Sequence, residues 1–93
     1  MNYVYILLSG KDGKFYTGST KDLKRRINEH DSGRVDSTKD RRPMKLIYYE
    51  ACIDEVDARA REKYLKIGMR KRYIRNRLKK YLKNFMQVLW FPL

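Results

Sequence analysis

Five side chains in this sequence have types and spacings that suit anion and proton chemistry: Tyr5, Tyr16, Arg26, His30 and Glu62. Arg26 and His30 share a stripe with Leu23 and Ile27 at i, i+3, i+4 and i+7, the spacing of one helical face. Arginine is rarely buried without a partner. A guanidinium on an apolar stripe is either at its edge, reaching water along its aliphatic stem, or held to meet an anion in a forked geometry. The same choice stands for His30, the only histidine, which reads as a structural residue or as a proton and phosphate handler. Glu62 is the only acid among residues 61–93 and shares a face with Ala58 and Leu65. It suits an i,i+4 pair with Lys66, or a site for Mg²⁺, which binds through one or two carboxylates and keeps several waters.

The elements that must position these residues are legible. Residues 2–9, NYVYILLS, carry β-branched and aromatic side chains on both faces, as a central strand does. GKDG at 10–13 is a turn and KFYTGS at 14–19 a second strand, so the pair reads as a hairpin. A four-residue loop pairs Ser9 with Lys14 and sets Leu7 opposite Tyr16. Tyr5 then lies one diagonal step from Tyr16 on the same face. A one-residue slip would move Tyr16 across the sheet, and both tyrosines also suit ordinary strand positions. The spacing predicts a helix over 21–31, capped by Thr20 or Asp22, then a polar loop over 34–43. MKLIYYEAC at 44–52 reads as a third strand. A helix is expected over 54–68, with acids in its first turn and Gly68 at its end. A last helix is expected over 70–84, with Ile74, Leu78, Tyr81, Leu82 and Phe85 as the stripe facing the sheet. The order β-β-α-β-α-α defines a small α+β domain over 1–84 with a three-stranded sheet. The apolar tail FMQVLWFPL, 85–93, suits packing on the body or on a partner.

Charge narrows the partners. The 93 residues carry 23 Lys+Arg against 11 Asp+Glu. Residues 1–60 hold 12 basic and 10 acidic side chains; residues 61–93 hold 11 basic and one acidic. Such a segment suits a polyanion, most simply nucleic acid, with solubility or a membrane surface as the plainer readings. Lys39, Arg41 and Arg42 in the loop, and Arg70, Lys71 and Arg72 in the last helix, are the candidates for backbone contacts to DNA. They contain few aromatics, so little sequence specificity is expected. The single Cys52 excludes a disulfide framework, and one Cys with one His cannot build a tetrahedral zinc site within one chain. The six-residue run YVYILL lacks a preceding basic region, so no signal peptide is read. No run reaches membrane-spanning length, and a cytoplasmic, reducing setting is expected.

In order and spacing, the motifs resemble the GIY-YIG nuclease family. YVY at 3–5 stands for the first signature, with Tyr3 where the family name has Gly; YTG at 16–18 stands for the second. LKRRINEH then carries Arg-x-x-x-His as Arg26 and His30, and AREKYLK supplies the acidic position as Glu62. The match spans about residues 2–83 and looks most like the small stand-alone members, which are similar to the N-terminal nuclease domain of the repair excinuclease. The resemblance implies a three-stranded antiparallel sheet flanked by helices, and phosphodiester cleavage with Mg²⁺ or Mn²⁺ in a repair or recombination setting. It implies Tyr16 as general base, Tyr5 positioning the water or a phosphate oxygen, and Arg26 on the scissile phosphate. His30 would assist with protons or phosphate, and Glu62 would hold the metal. A free tyrosine titrates near 10 and is a poor base unless a cation favours the phenolate. Some members have Lys where this chain has Ser19; Asn76 is a loose match to a late Asn. The alternatives are a non-catalytic nucleic-acid-binding module of the same fold, and a small interaction protein docking by its apolar tail.

Overall fold

In the computed structural model, residues 1–83 are described, with the backbone alone for 68–72. Strands β1 (Asn2–Ser9), β2 (Phe15–Thr20) and β3 (Met44–Cys52) form one antiparallel sheet in the order β2-β1-β3. The most apolar strand is thus the central one: Val4 to Leu8 are all buried. The helices are α1 (Leu23–Asp31), α2 (Glu55–Lys66) and α3 (Gly68–Arg77). Residues 1–63 form one compact unit and those from 64 onward a second. No helix among the described residues is long and apolar enough to cross a membrane.

The hairpin has the register that its loop length dictates: Leu7 opposes Tyr16 and Tyr5 opposes Gly18. The Ser9 hydroxyl accepts from the amides of Lys11 and Asp12 and donates to the Arg41 carbonyl, which ties the turn to the 34–43 loop. Asp22 caps α1 by accepting from the Arg25 amide at 3.0 Å. Tyr5, Leu7 and Met44 form a core cluster on one face of the sheet, and Leu23, Ile27 and Leu46 pack against it.

Two features were not legible. In β3 the pairing with β1 steps from Ile6–Tyr48 to Leu7–Leu46, leaving Ile47 as an extra residue. Such a bulge reverses the alternation, so Leu46 and Tyr49, even and odd, share the face of Leu7 and Tyr5. The 34–43 loop is also less solvated than its polarity suggests. Val35 and Thr38 are buried, and Lys39–Arg41 forms a 3-10 turn.

The C-terminal boundaries need correction. Gly68 opens α3 and does not close α2, because Ile67 adopts an extended conformation (φ −72°, ψ 133°) and separates the two. The single helix expected over 70–84 is interrupted at Leu78 (φ −107°, ψ 22°), and helix resumes over 79–83. No Gly or Pro marks that point, so periodicity alone ran through it. In this unit Leu65 and Ile74 are buried, and the Arg77 guanidinium lies 6.0 Å from the Tyr73 ring centroid. Phe85 and the tail 85–93 lie outside the described residues.

Candidate active site

The site is built where α1 crosses the hairpin. Tyr5 stands on the central strand, is 1% exposed, and lays its ring across Gly18 of the neighbouring strand. A Cβ at position 18 would come 2.5 Å from the Tyr5 hydroxyl and 2.7 Å from Cζ. Glycine is required there for the phenol to pass.

The Tyr5 hydroxyl is 2.8 Å from His30 Nε2, and His30 Nδ1 is 2.8 Å from the Thr38 hydroxyl. His30 is fully buried. Thr38 in turn donates to the Val35 carbonyl at 3.5 Å. A hydroxyl has one proton to give, so Thr38 accepts from Nδ1–H and Nε2 is left as the acceptor for Tyr5. Burial, followed by the charge of Arg26, pushes the imidazole below its ordinary pKa, which keeps it in this neutral tautomer. The Arg26 guanidinium stands close enough to the Tyr5 phenol for its charge to act on it, and donates to Glu29 Oε1 at 3.0 Å. The chain Tyr5 to His30 to Thr38 to the Val35 carbonyl is therefore donor-to-acceptor consistent throughout. Burial pushes Tyr5 up to about 12, against the lowering effect of the nearby Arg26, so it remains a neutral phenol.

Tyr16 lies at the open end of this group, half-buried, with its ring centroid 5.1 Å from His30 and 6.4 Å from Tyr5. Glu62 comes in from α2, half-buried, and accepts from the Ser19 hydroxyl at 2.6 Å. Its charge and that of Arg26 both act on the Tyr5 phenol, with opposite signs. The rotation of α2 is set one residue earlier. Arg61 makes a two-pronged pair with Glu50 of β3 (2.9 and 3.0 Å), and Tyr48 donates to the same carboxylate at 2.6 Å.

Tyr5, Tyr16 and His30 gather beside α1, which carries Arg26, while Glu62 reaches the hairpin through Ser19, the strand neighbour of Gly18. His30 takes a supporting position, with both ring nitrogens engaged inside the protein. Ser19, Thr38 and Gly18 escaped sequence reasoning as parts of the site. Gly18 carried a signal inside YTG, and Ser19 stands where some family members have Lys; Thr38 is an ordinary polar residue, and the partners of Ser19 and Thr38 lie 43 and eight positions away.

The loop cations divide. Arg41 is committed to the hairpin turn, with Nε 2.8 Å from Asp12 and further bonds to the Lys14 and Phe15 carbonyls. The Arg41 hydrogen bond holds Asp12 well below the usual carboxylate range. Arg42 is exposed, lies over Gly33 and donates to the Lys39 and Asp31 carbonyls, the latter at the end of α1. Lys39 is exposed and only loosely paired with Asp36, at 3.9 Å. The side chains of Arg70, Lys71 and Arg72 lie outside the described residues. Asn76 is exposed on α3, in the second unit.

The fold and the order of these residues along the chain can be set beside known proteins. A family model described as the GIY-YIG catalytic domain matches residues 1–74, and the chain belongs to that family. It is 45% identical to a UPF0213 protein of Clostridium perfringens over 67 residues, 71% of each chain. It is 38% identical to one of Pediococcus acidilactici, covering 88% of this chain and 81% of that one. The solution NMR structure of a UPF0213 protein of Bacillus halodurans, 40% identical, aligns over 85% of this chain and 86% of that one with a TM-score of 0.52.

The donor set also bears on the metal expected for the family. No group of three or more His, Cys, Asp or Glu side chains able to hold an ion exists among the described residues. A single half-buried carboxylate, oriented by a hydroxyl, fits a hard divalent ion that retains most of its waters.

Proposed function

We propose that this protein is a metal-dependent endonuclease that hydrolyses phosphodiester bonds in DNA. The observation that carries the reading is the grouping of Tyr5, Tyr16 and His30 beside the helix that carries Arg26, with the Glu62 carboxylate held on the same hairpin by Ser19.

Glu62 would hold Mg²⁺ or Mn²⁺, which when bound stabilises charge growing on the phosphate oxygens. Arg26 holds the scissile phosphate through its forked donors, braced by Glu29. Tyr16, in its phenolate form, would take the proton of the attacking water as general base and become the phenol. Tyr5 and His30 are positioning residues: a neutral phenol and a neutral imidazole that fix the Tyr16 ring. Ser19 orients the Glu62 carboxylate. Lys39, Arg42 and the basic α3 segment, Arg70, Lys71 and Arg72, supply backbone contacts to DNA.

The test is cleavage of a panel of duplex, nicked, branched and single-stranded DNA with Mg²⁺ or Mn²⁺, comparing wild type with Glu62→Gln. Cutting by wild type alone is the expected result. Equal cutting by both would remove Glu62 from the reaction. Salt-sensitive binding without cutting by either would leave a non-catalytic DNA-binding module.

A further inference from the structure

The side of α1 turned away from Arg26 carries a second recess. It is an open groove of about 580 Å³ between α1 and the sheet, entirely within the first unit. Its walls are Tyr3 of β1 and Tyr49 of β3, whose rings meet edge to face at 6.2 Å. Leu23, Ile27 and Leu46 form an apolar floor, and the bulge at Ile47 puts Leu46 on the same face as Tyr49. Lys24 and Asn28 stand on the α1 flank that lines it, and Lys21 at its rim. Residues two apart on a helix point to opposite sides, so Lys24 and Arg26 flank the same helix back to back.

Three properties of this groove name its ligand. Tyr49 is 54% exposed, so an aromatic face stands open to solvent on a protein otherwise rich in surface charge. The floor is apolar, yet Asn28 offers both a donor and an acceptor, as needed at the edge of a heterocycle. The rim is cationic: Lys21 makes only a loose contact with Glu55, at 3.8 Å, and the one rim acid, Asp22, has its carboxylate turned to the Arg25 amide. An aromatic platform beside lysines is how sequence-tolerant proteins hold single strands.

We infer that this groove binds an unpaired base of a DNA strand, stacked on Tyr49 with Lys21 and Lys24 on the adjoining phosphates. The inference rests on the nuclease reading for its choice of DNA and sharpens it. A helix is about 10 Å across with its side chains, so the base would be held close to the phosphate on Arg26. The favoured substrate is then DNA with an unpaired nucleotide beside the cut, such as a flap, a gap or a single strand. A base inside an intact duplex offers no face to Tyr49.

The test is fluorescence anisotropy in EDTA with a labelled 12-nucleotide single strand, the same strand made abasic, and the blunt duplex. Wild type is compared with Tyr49→Ala and Tyr49→Phe. The expected result is about a tenfold loss of single-strand affinity in Tyr49→Ala, within the range for one stacked base. Tyr49→Phe should stay within about twofold of wild type because stacking survives. Wild type should bind the abasic strand as weakly as Tyr49→Ala binds the normal one, and duplex affinity should not change. Equal wild-type affinity for normal and abasic strands would overturn the inference. So would a loss in Tyr49→Ala that is the same on duplex and single strand, or a Tyr49→Phe loss equal to that of Tyr49→Ala. Because binding is read without metal, a protein that grips the single strand through Tyr49 but never cuts would sink the nuclease reading alone. One that cuts but ignores Tyr49 would sink the groove alone.

Discussion

The two flanks of α1 are made from the same nine-residue helix and do opposite things. On the Arg26 flank, polar atoms are interlocked and largely buried: phenol to imidazole, imidazole to threonine, threonine to the Val35 carbonyl. On the Lys24 flank, the groove is open and its polar atoms line a rim around apolar walls. A buried hydrogen-bonded network fixes geometry, because each group left without its partner carries a desolvation cost. An open aromatic groove tolerates different occupants. The first arrangement suits chemistry on one atom, the second suits holding a strand.

Breaking the interlocked flank should have the largest effect. Arg26→Ala is expected to reduce cleavage by about 10²–10³-fold, the usual cost of losing one transition-state donor. Metal-free single-strand binding should stay within a few-fold of wild type, read on the same samples. If binding and cutting fall together, the two flanks are not functionally separate.

Next in size is His30→Ala. It leaves a cavity and removes the partner of two buried hydroxyls, so a stability loss of about 2–4 kcal/mol is expected in urea denaturation. Gly18→Ala should destabilise by about 1–3 kcal/mol, because its Cβ would overlap the Tyr5 ring. Neither loss is expected from Tyr49→Ala. The His30 contribution has a pH signature. Its folded pKa is lowered by burial, so the unfolded chain binds that proton more readily. Stability due to the neutral ring should be complete above the unfolded value of about 6.5 and fall as pH drops below it. His30→Gln should flatten that part of the stability–pH curve.

Ser19→Ala should cost about tenfold in activity, mostly as a higher metal requirement in a Mg²⁺ titration, as expected when a group orienting a metal ligand is removed. A loss that no metal concentration restores would place Ser19 elsewhere in the reaction. The smallest effect belongs to neither flank. Asp12→Asn breaks the pair with Arg41, which is about one-third exposed and so worth little, about 1 kcal/mol or less after screening. The Asp12 pKa is depressed in the fold, so wild type should exceed the variant in Tm above about pH 4 and lose that lead as pH falls further.

Much of this arrangement was written locally. The hairpin register follows from a four-residue loop, the start of α1 from Asp22, and the stripe of Leu23, Arg26, Ile27 and His30 from helical period. These are short-range consequences of backbone geometry, so residues a few positions apart suffice to state them. The family resemblance then located Glu62, which no local pattern could bring to the hairpin.

Other features depended on contacts between distant segments. The alternation of β3 is invisible in LIYY, where every residue is apolar, so the bulge that unites Leu46 with Tyr49 emerged only from pairing with β1. The turn at Leu78 has no breaker residue to announce it. Ser19 meets Glu62, and Thr38 meets His30, only once α2 and the 34–43 loop have folded onto the hairpin. The sequence by itself determined which side chains were available for chemistry and which local elements carry them, because those are matters of residue type and period. The tertiary structure decided which phenol is buried, which imidazole is neutral and which face holds a groove, because burial and hydrogen-bond partnership are properties of packed segments.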